Sequence, residues 1–420
     1  MMSILITFLK MIFVLGFLVL IHEGGHFFVA KKCGVKVNEF AIGFGPTILS
    51  KQGKETKYAI RLIPLGGFVN LEGEEERIDS ETSFSSASAP KRIAILAAGG
   101  LVNIIFAVLA YFILILCVGE FQSTKVEYVV PEIQNQGLQV NDEILKINNK
   151  KIGLTSDITE ILSKNKNEKL DVVVKRDKKN VNLKITPFEQ KTSSIGVVFK
   201  SQGDTYTTEI ASLIDDNPAQ KAGLQIGDKI TKINNQDTLS PFDVIEKLNE
   251  DLEKYEVTIT VQRNQEKIDF TVKPNIVESY SLGIDLAMAE NNILNRLYYS
   301  TLATGKFLSS ALDGVKMLFT GKVGVEQLTG PIGIGKVVSQ AEKIQDFIEL
   351  LILISLSLGV TNLLPFPPLD GGKIVLVLIE VIRRKPLKEN IEVGIQMVGF
   401  GLMIILSIFV AYSDIFIKKM

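Results

Sequence analysis

Long apolar segments lie near both ends of the chain and flank a polar middle that is rich in lysine and asparagine. Residues 4–21 are apolar except for Lys10, and residues 93–118 carry no charge. Residues 347–366 and 391–413 are two further, mostly apolar segments. A helix needs about 20 apolar residues to cross a bilayer. The pattern therefore predicts a polytopic α-helical membrane protein with four transmembrane helices.

A cleaved secretion signal is the alternative explanation of the first apolar segment. Such signals begin with a basic region and end at a small-residue cleavage site. Residues 1–3 contain no basic residue, and the apolar segment leads directly into His22-Glu-Gly-Gly-His26. We therefore expect residues 4–21 to form a membrane helix.

The loop between the first two predicted helices, residues 31–92, contains ten Lys or Arg residues. Within it, residues 37–49 and 56–69 are predicted strands that are interrupted by turn signals at Gly43–Pro46 and Pro64–Gly67. Basic loops tend to remain in the cytoplasm. We therefore expect this loop on the cytoplasmic side and the polar middle of the chain on the other side.

A second basic segment, Arg383–Lys388, also favours this orientation, whereas Lys418 and Lys419 favour the opposite one.

The polar middle contains an internal repeat. Residues 137–150 align with residues 223–236, and nine of the fourteen positions are identical. Each copy has β-type alternation around one short helical segment. The repeat predicts two tandem β-rich domains, near residues 122–200 and 201–287.

The second copy resembles a PDZ domain through Asn217–Leu224 and the following Gly227-Asp228. PDZ domains bind an extended peptide by adding it as a strand to a sheet edge, so Gly223 and Leu224 are candidate peptide-groove residues. The first copy lacks the Asn-Pro-Ala-x-x-Ala sequence before Gly137 and has Asn141 at the position of Gly227. A spacer or steric role is the alternative for both copies.

Overall charge and cysteine content exclude several classes of protein. The net charge of −1 gives no indication of nucleic-acid binding. Cys33 and Cys117 are far apart, so they predict neither a disulfide framework nor a structural zinc site.

Candidate chemistry is concentrated in His22-Glu23-Gly-Gly-His26, which contains both histidines of the chain. Residues at positions i and i+4 of a helix share one face, so the two imidazoles can bind one Zn²⁺. Glu23 is then the general base that takes a proton from a zinc-bound water. A lone His-x-x-x-His is often accidental, but ionisable groups inside a membrane segment are functional candidates.

Asp370 is the candidate third ligand. It follows Asn362-Leu-Leu-Pro365-Phe-Pro367-Pro-Leu at the end of the third predicted helix. Like the histidines, it lies close to a basic segment, which places all three near the cytoplasmic face. Two histidines, one carboxylate and a water make a catalytic zinc site.

Together these motifs resemble the bacterial site-2 protease family, and most closely its RseP branch of intramembrane zinc proteases. The resemblance covers nearly the whole chain and includes Gly43–Gly45, Pro64–Gly67, Gly330-Pro331 and the Asn-x-x-Pro…Leu-Asp-Gly motif. Gly100 stands where the family usually has proline.

The resemblance implies zinc binding by His22, His26 and Asp370, with Glu23 as the base. It implies that the Gly43–Gly45 region forms a membrane-dipping β-hairpin on the cytoplasmic side. It also implies contact with substrate for a further set of residues, namely Asn362, Pro365, Pro367, Gly43 and Gly45.

The expected function is therefore cleavage of transmembrane segments in the bacterial inner membrane. The expected substrates are single-pass membrane proteins, namely anti-sigma factors already trimmed by another protease and remnant signal peptides. A catalytically silent PDZ-bearing membrane scaffold and a metal transporter are alternatives. A serine protease is excluded because no histidine exists outside the zinc motif. The expected division of the chain is 1–121, 122–200, 201–287, 288–345 and 346–420.

Overall fold

A computed structural model of the chain describes residues 2–412, except for 75, 166, 203–204, 215–216, 251–255, 321–332, 336–337, 339–340 and 342. The chain forms two compact units. One contains residues 1–119 and the described residues from 303 onward, and the other contains residues 120–302. The predicted Gly330-Pro331 motif lies outside the described residues.

The first unit contains the helices that the hydropathy pattern predicts. Within the described residues, four helices are long and apolar enough to cross a membrane: α1 (Met2–Cys33), α2 (Ala89–Val118), α8 (Ile344–Asn362) and α10 (Glu389–Tyr412). The prediction of four such helices is confirmed. The unit also contains most of α7 (Ile293–Phe319) and the shorter α9 (Asp370–Arg383).

Helix α7 packs against the apolar helices of the first unit. Phe307 of α7 stacks on Tyr111 of α2, with ring centroids 4.5 Å apart. Ala311 packs against the same cluster of α2 and α8 side chains. This contact occurs because Phe307 and Ala311 share one helical face.

Glycines bring three helices into close contact. A Cβ atom on Gly25 of α1 would lie 2.6 Å from the carbonyl oxygen of Ala98 in α2. A Cβ atom on Gly100 would lie 2.9 Å from the carbonyl oxygen of Gly359 in α8. Small residues allow backbones to approach in membrane helices. Helix α2 is therefore packed against α1 on one side and α8 on the other.

A β-hairpin connects α1 to α2. Its strands β1 (Val37–Gln52) and β2 (Lys57–Leu71) are antiparallel. Each strand bends, so that residues 39–42 pair with both 57–60 and 67–70, and Val37 pairs with Leu71. Residues 67–71 consequently lie at one edge of this small sheet. A set of its apolar side chains is exposed: Phe44, Ile48, Leu49, Tyr58, Ile60, Leu62 and Ile63.

The second unit contains two main sheets and two amphipathic helices. The strands of the first repeat are β3 (Gln122–Val129), β4 (Glu143–Ile147), β5 (Lys150–Lys151), β6 (Leu170–Arg176) and β7 (Lys179–Ile185), and its helices are α3 (Pro131–Gln134) and α4 (Thr155–Lys164). The strand β8 (Phe188–Ser194) follows the first repeat. The second repeat has β9 (Val197–Gln202), β10 (Thr205–Leu213), α5 (Pro218–Lys221), β11 (Lys229–Ile233), β12 (Gln236–Asp237), α6 (Pro241–Asn249), β13 (Val257–Arg263) and β14 (Glu266–Val272).

Two strands after the second repeat return the chain to the first. The strand β15 (Asn275–Ser281) pairs with β8, and β16 (Ile284–Met288) pairs with β3 as an edge strand of the first sheet. Strand β9 is the edge strand of the second sheet. Sheet membership thus departs from the expected boundaries near residues 200 and 287, because the second repeat is inserted into the first.

Each repeat contains a loop that is held by an equivalent Arg–Asp ion pair. In the second, Arg263 donates to both carboxylate oxygens of Asp228 at 2.7 Å and to the carbonyl oxygen of Gly223. In the first, Arg176 binds Asp142 and the carbonyl oxygen of Gly137 in the same way.

The first repeat keeps the short helix and the loop conformation of the second repeat, although its sequence departs from the PDZ motif there. Helix α3 begins at Pro131, just as α5 begins at Pro218. Asn141 has φ 72°, and Gly227 has φ 91°. Asparagine tolerates this left-handed region, so replacing the glycine preserves the loop.

Asp228→Asn should destabilise the second sheet at neutral pH by about 1.5–3 kcal/mol, the range for hydrogen bonds to charged groups. Burial raises the pKa of Asp228, but hydrogen bonds from Arg263 and the Gln225 N–H outweigh it and hold that pKa below its ordinary value. The stabilisation is therefore present above the unfolded-state pKa of about 3.9 and is lost as pH falls through the folded-state pKa.

Thermal unfolding of wild type and Asp228→Asn between pH 7 and pH 3 measures this effect. The difference between their unfolding temperatures should become smaller at low pH. Asp237→Asn is the matched control, because its carboxylate is exposed and lies 3.3 Å from Lys232. A difference in unfolding temperature that stays constant across this pH range would contradict the expectation.

Candidate metal centre

Helix α1 presents both histidines on one face, and α9 brings Asp370 to them. The Nε2 atoms of His22 and His26 lie 3.2 Å apart. The Oδ2 atom of Asp370 lies 3.3 Å from each of them. The three predicted ligands therefore converge, although Asp370 is far from the histidines in sequence.

These distances fit a zinc ion. Ligands that are each about 2.0–2.1 Å from one tetrahedral zinc are about 3.3 Å apart. Among the described residues, the buried Oδ2 of Asp370 has no hydrogen-bond partner. Buried polar atoms normally have partners, so a cation between the three electron-pair donors accounts for their approach.

Each histidine is oriented by a contact at its other ring nitrogen. The Nδ1 atom of His26 lies 2.8 Å from the carbonyl oxygen of Ile95 in α2. A proton on Nδ1 leaves Nε2 unprotonated and able to bind a metal. The side-chain amide of Asn362 lies 3.5 Å from Nδ1 of His22. Asn362 is thus brought to the centre, beside a predicted ligand.

The backbone of α2 forms one wall of the centre. A Cβ atom on Gly99 would lie 2.7 Å from Cε1 and 2.8 Å from Nε2 of His22. Any larger residue there would displace the imidazoles. Glycine at this position is needed for the centre itself as well as for helix packing.

Glu23 lies on the hairpin side of the centre. A Cβ atom on Gly67 would lie 3.7 Å from Cγ of Glu23, which places the carboxylate beside the edge segment 67–71. Glu23 and the three candidate ligands line one cavity of about 520 Å³ together with residues 68–71. A general base next to an open strand edge can act on a peptide that pairs with that edge.

The loop between α8 and α9 is held tightly against its surroundings. Helix α8 ends at Asn362, and α9 begins at Asp370. A Cβ atom on Gly372 would lie 2.6 Å from the nitrogen of Pro367. Pro367 also lines a second, apolar cavity of about 410 Å³ between the loop and α10. The glycines after Asp370 let this loop fold back onto α9.

Other predicted site residues lie apart from the metal centre. Gly43 and Gly45 are at the bend of β1, with φ 88° and 82°, and do not line the cavity. Gly223 and Leu224 belong to the other compact unit. The Leu224 side chain is only 3% exposed and packs in the core of the second sheet. A peptide groove there would have to use backbone groups.

Several residues at the centre were not predicted from the sequence. The carbonyl of Ile95 cannot be predicted, because any residue type supplies a carbonyl. The close approach of Gly99 to the imidazoles depends on how α1 and α2 meet, which no sequence motif specifies. Lys373 also lines the cavity, and its charged side chain one turn after Asp370 could have indicated this.

Two histidines on the apolar helix α1, the carboxylate of Asp370 and the neighbouring Glu23 form an arrangement that is typical of a membrane zinc metallopeptidase. A model described as "Peptidase family M50" matches residues 10–406. The chain therefore belongs to peptidase family M50, the site-2 zinc metalloproteases, and is a membrane zinc metalloprotease.

Bacterial relatives match along nearly their whole length. The chain is 30% identical to "Regulator of sigma E protease" of Haemophilus influenzae, covering 98% of this chain and 99% of the relative. It is 31% identical to "Probable protease eep" of Enterococcus faecalis, covering 97% and 98%. It is 29% identical to "Zinc metalloprotease RasP" of Shouchella clausii, with the same coverage.

A solved HtrA3 PDZ domain bound to a phage-derived ligand is 18% identical over 22% of this chain and 92% of that domain, with a TM-score of 0.19. That score supports no inference about the repeats, so their PDZ assignment depends on their motifs.

Asp370→Ala should lower the zinc content of the purified protein from about one ion per chain to a small fraction of that, because one of three ligands is lost. Elemental analysis after dialysis measures it. Asp313→Ala removes an exposed carboxylate from α7 and serves as the control. Full zinc occupancy in the Asp370 variant would remove Asp370 from the site.

Proposed function

We propose that this metalloprotease cleaves transmembrane segments of single-pass membrane proteins within the bilayer. The observation that carries the proposal is the position of the centre. Both histidines lie on α1, whose residues Ile6–Cys33 are long and apolar enough to cross a membrane. A protease that acted on water-exposed peptides would have no need to place its metal ligands on such a helix.

The chemistry follows from the residues at the centre. His22, His26 and Asp370 would hold zinc, which when bound supplies Lewis-acid activation of water. Glu23 takes the proton from the attacking water and returns it to the leaving amine nitrogen. The carbonyl of Ile95 keeps His26 oriented throughout, because its hydrogen bond does not involve the atom that faces the metal.

Substrate would bind as an added strand. A peptide bond inside a helix is hidden by its own hydrogen bonding, so a substrate helix must become extended before water can attack. Residues 67–71 pair with residues 37–42 and lie at the edge of the hairpin sheet as far as the chain is described. Pairing with this edge would hold an extended segment next to Glu23 with little demand on its sequence.

Five further residues are proposed to assist substrate binding. The exposed apolar side chains of the hairpin support a membrane-dipping role for the region of Gly43 and Gly45. Pro365 and Pro367 interrupt the helix after Asn362 and leave backbone groups open to pairing. Asn362 would hold substrate from a position beside His22.

The location and substrates complete the proposal. The basic segments 31–92 and 383–388 favour a centre near the cytoplasmic face of the bacterial inner membrane, with the repeats outside the cytoplasm. One relative is named as a regulator of sigma E protease. Anti-sigma factors already trimmed by another protease, and remnant signal peptides, are the proposed substrates.

The two repeat domains are proposed to be PDZ-like and to exclude substrates that have bulky external domains. They lie across the membrane from the basic loops by the charge argument, so they cannot take part in the chemistry. Exclusion needs no peptide groove. Capture of a new C-terminus at an edge strand, next to Gly223 and Leu224 in the second copy, is the alternative role.

Glu23→Gln should keep the fold and the zinc but reduce cleavage by roughly 10²–10⁴-fold, because the amide cannot accept the proton. Cleavage of a model transmembrane substrate by the purified, zinc-loaded protein measures it. Glu349→Gln is a matched control, since Glu349 is an exposed carboxylate in α8.

Cleavage by the Glu23 variant at the rate of wild type would defeat the assignment of Glu23 as the base. Zinc binding by both proteins, with no cleavage of any transmembrane substrate by wild type, would instead favour a catalytically silent scaffold.

Deleting residues 122–288, with a flexible linker in their place, should leave cleavage of short, pre-trimmed substrates within a few fold of wild type. It should also permit cleavage of full-length substrates that wild type rejects, because the steric barrier is gone. The deletion ends at Met288 because β16 completes the first sheet. A folded, zinc-loaded variant that cuts trimmed substrate poorly and still rejects the full-length one would make the domains recruiters.

A further inference from the structure

One face of α9 joins the metal centre to a row of charged side chains. Asp370, Lys373, Val377 and Glu380 follow one another at spacings of three and four residues, so they share that face. All four line the cavity that contains the centre. Only the first of them is a candidate ligand. The position of α9 along its axis depends on the contacts that the other three side chains make.

The first contact lies one turn after Asp370. The Nζ atom of Lys373 donates to Oε1 of Glu74 at 2.7 Å. Glu74 follows directly after the edge segment 67–71 of the hairpin. Both side chains are largely shielded, at 29% and 20% exposed. This pair ties the start of α9 to the segment that leads away from the predicted substrate edge.

The second contact lies at Glu380, two turns further along. Its two carboxylate oxygens accept hydrogen bonds from Arg77 at 2.8 Å, Arg92 at 2.7 Å and the Leu387 N–H at 2.7 Å. The Glu380 side chain is only 10% exposed. Breaking one side of so shielded a pair leaves an uncompensated charge, which is strongly unfavourable.

The two contacts have opposite polarity. Along α9 the cation, Lys373, precedes the anion, Glu380, whereas along the facing segment the anion, Glu74, precedes the cation, Arg77. Sliding α9 by one turn, about 5.4 Å, would separate both pairs at once. Val377 lies between them and is buried among apolar side chains, whose packing is not directional. The charges therefore select one axial position.

Helix α2 relates that position to the histidines. Arg92, Ile95 and Gly99 also lie at spacings of three and four residues, so they share one face of α2. Arg92 holds Glu380, the carbonyl of Ile95 orients His26, and Gly99 forms the wall behind both imidazoles. A helix fixed by Arg92 is thus fixed relative to the two histidine ligands.

We infer that Lys373 and Glu380 are positioning residues for the metal centre. Their ion pairs with Glu74, Arg77 and Arg92 fix the register of α9, that is, its position along its axis. This register determines where Asp370 meets the histidines. Selecting one register is the role for which shielded ion pairs are best attested. The inference depends on Asp370 as the third ligand. It does not depend on intramembrane cleavage.

The test compares full-length purified variants by chelator-driven zinc loss and by the visible absorption spectrum of the Co²⁺-loaded protein. Lys373→Glu, Glu74→Lys and Glu380→Gln should each weaken zinc binding by about 10–100-fold, the range for residues that orient ligands. Each should also change the cobalt spectrum, which reports ligand geometry. The double variant Lys373→Glu/Glu74→Lys restores the pair and should return within about threefold of wild type.

Glu72→Gln is the matched control. Glu72 lies two residues before Glu74 and is paired with Lys36 at 2.9 Å, away from α9. It should retain zinc and the wild-type cobalt spectrum. If Lys373→Glu does not fold, Lys373→Met replaces it, because methionine keeps the length of the side chain without its charge.

Two results would overturn the inference. One is wild-type zinc retention and cobalt spectra in Glu380→Gln and in the Lys373 variant. The other is a double variant no better than its singles, with Glu72→Gln equally impaired, which would indicate general destabilisation. Asp370→Ala in the same assay separates this inference from the ligand assignment. Zinc loss in Asp370→Ala together with wild-type behaviour of the Lys373 and Glu380 variants overturns this inference and leaves the assignment intact, whereas zinc retention in Asp370→Ala overturns both.

Discussion

The structure depends on keeping two imidazoles and a carboxylate within about 3.3 Å of one another inside a bundle of apolar helices. Three electron-pair donors so close together repel each other unless a cation lies between them. The two histidines lie on a helix that is long and apolar enough to cross a membrane. Every other contact near the centre is consistent with this demand. Glycines admit the imidazoles, a carbonyl orients one ring, and ion pairs fix the helix that carries the carboxylate.

Close backbone contacts explain most of the glycines that occur in pairs near the centre. Gly24-Gly25, Gly99-Gly100 and Gly371-Gly372 each lie next to the centre or its loop. At Gly25 and Gly100 the neighbour is backbone, so no side-chain rearrangement can make room for a larger residue. Gly100 packs against the backbone of Gly359 in α8.

Much of the membrane unit could be predicted from the sequence, for a physical reason. Membrane helices are selected by length and hydrophobicity, both of which are local properties, and the His-Glu-x-x-His spacing places two ligands without knowledge of the fold. Contacts between residues that are distant in sequence were harder to predict. Asp370 was predicted through loop charge and family resemblance, whereas the Ile95 carbonyl and the Glu380 pairs with Arg77 and Arg92 depend on how helices meet. The packing of α7 on Tyr111 depends on the same kind of contact.

The insertion of the second repeat into the first has a consequence for the order of synthesis. The first sheet needs β16 as its edge, and Ile284 pairs with Val129, which leaves the ribosome far earlier. Pairings between such distant residues form slowly. The first repeat must therefore wait, with its β3 edge open and prone to pairing with other chains, while the second repeat is made and folds by itself. The β8–β15 ribbon that leads out of the second repeat then returns the chain to close the earlier sheet.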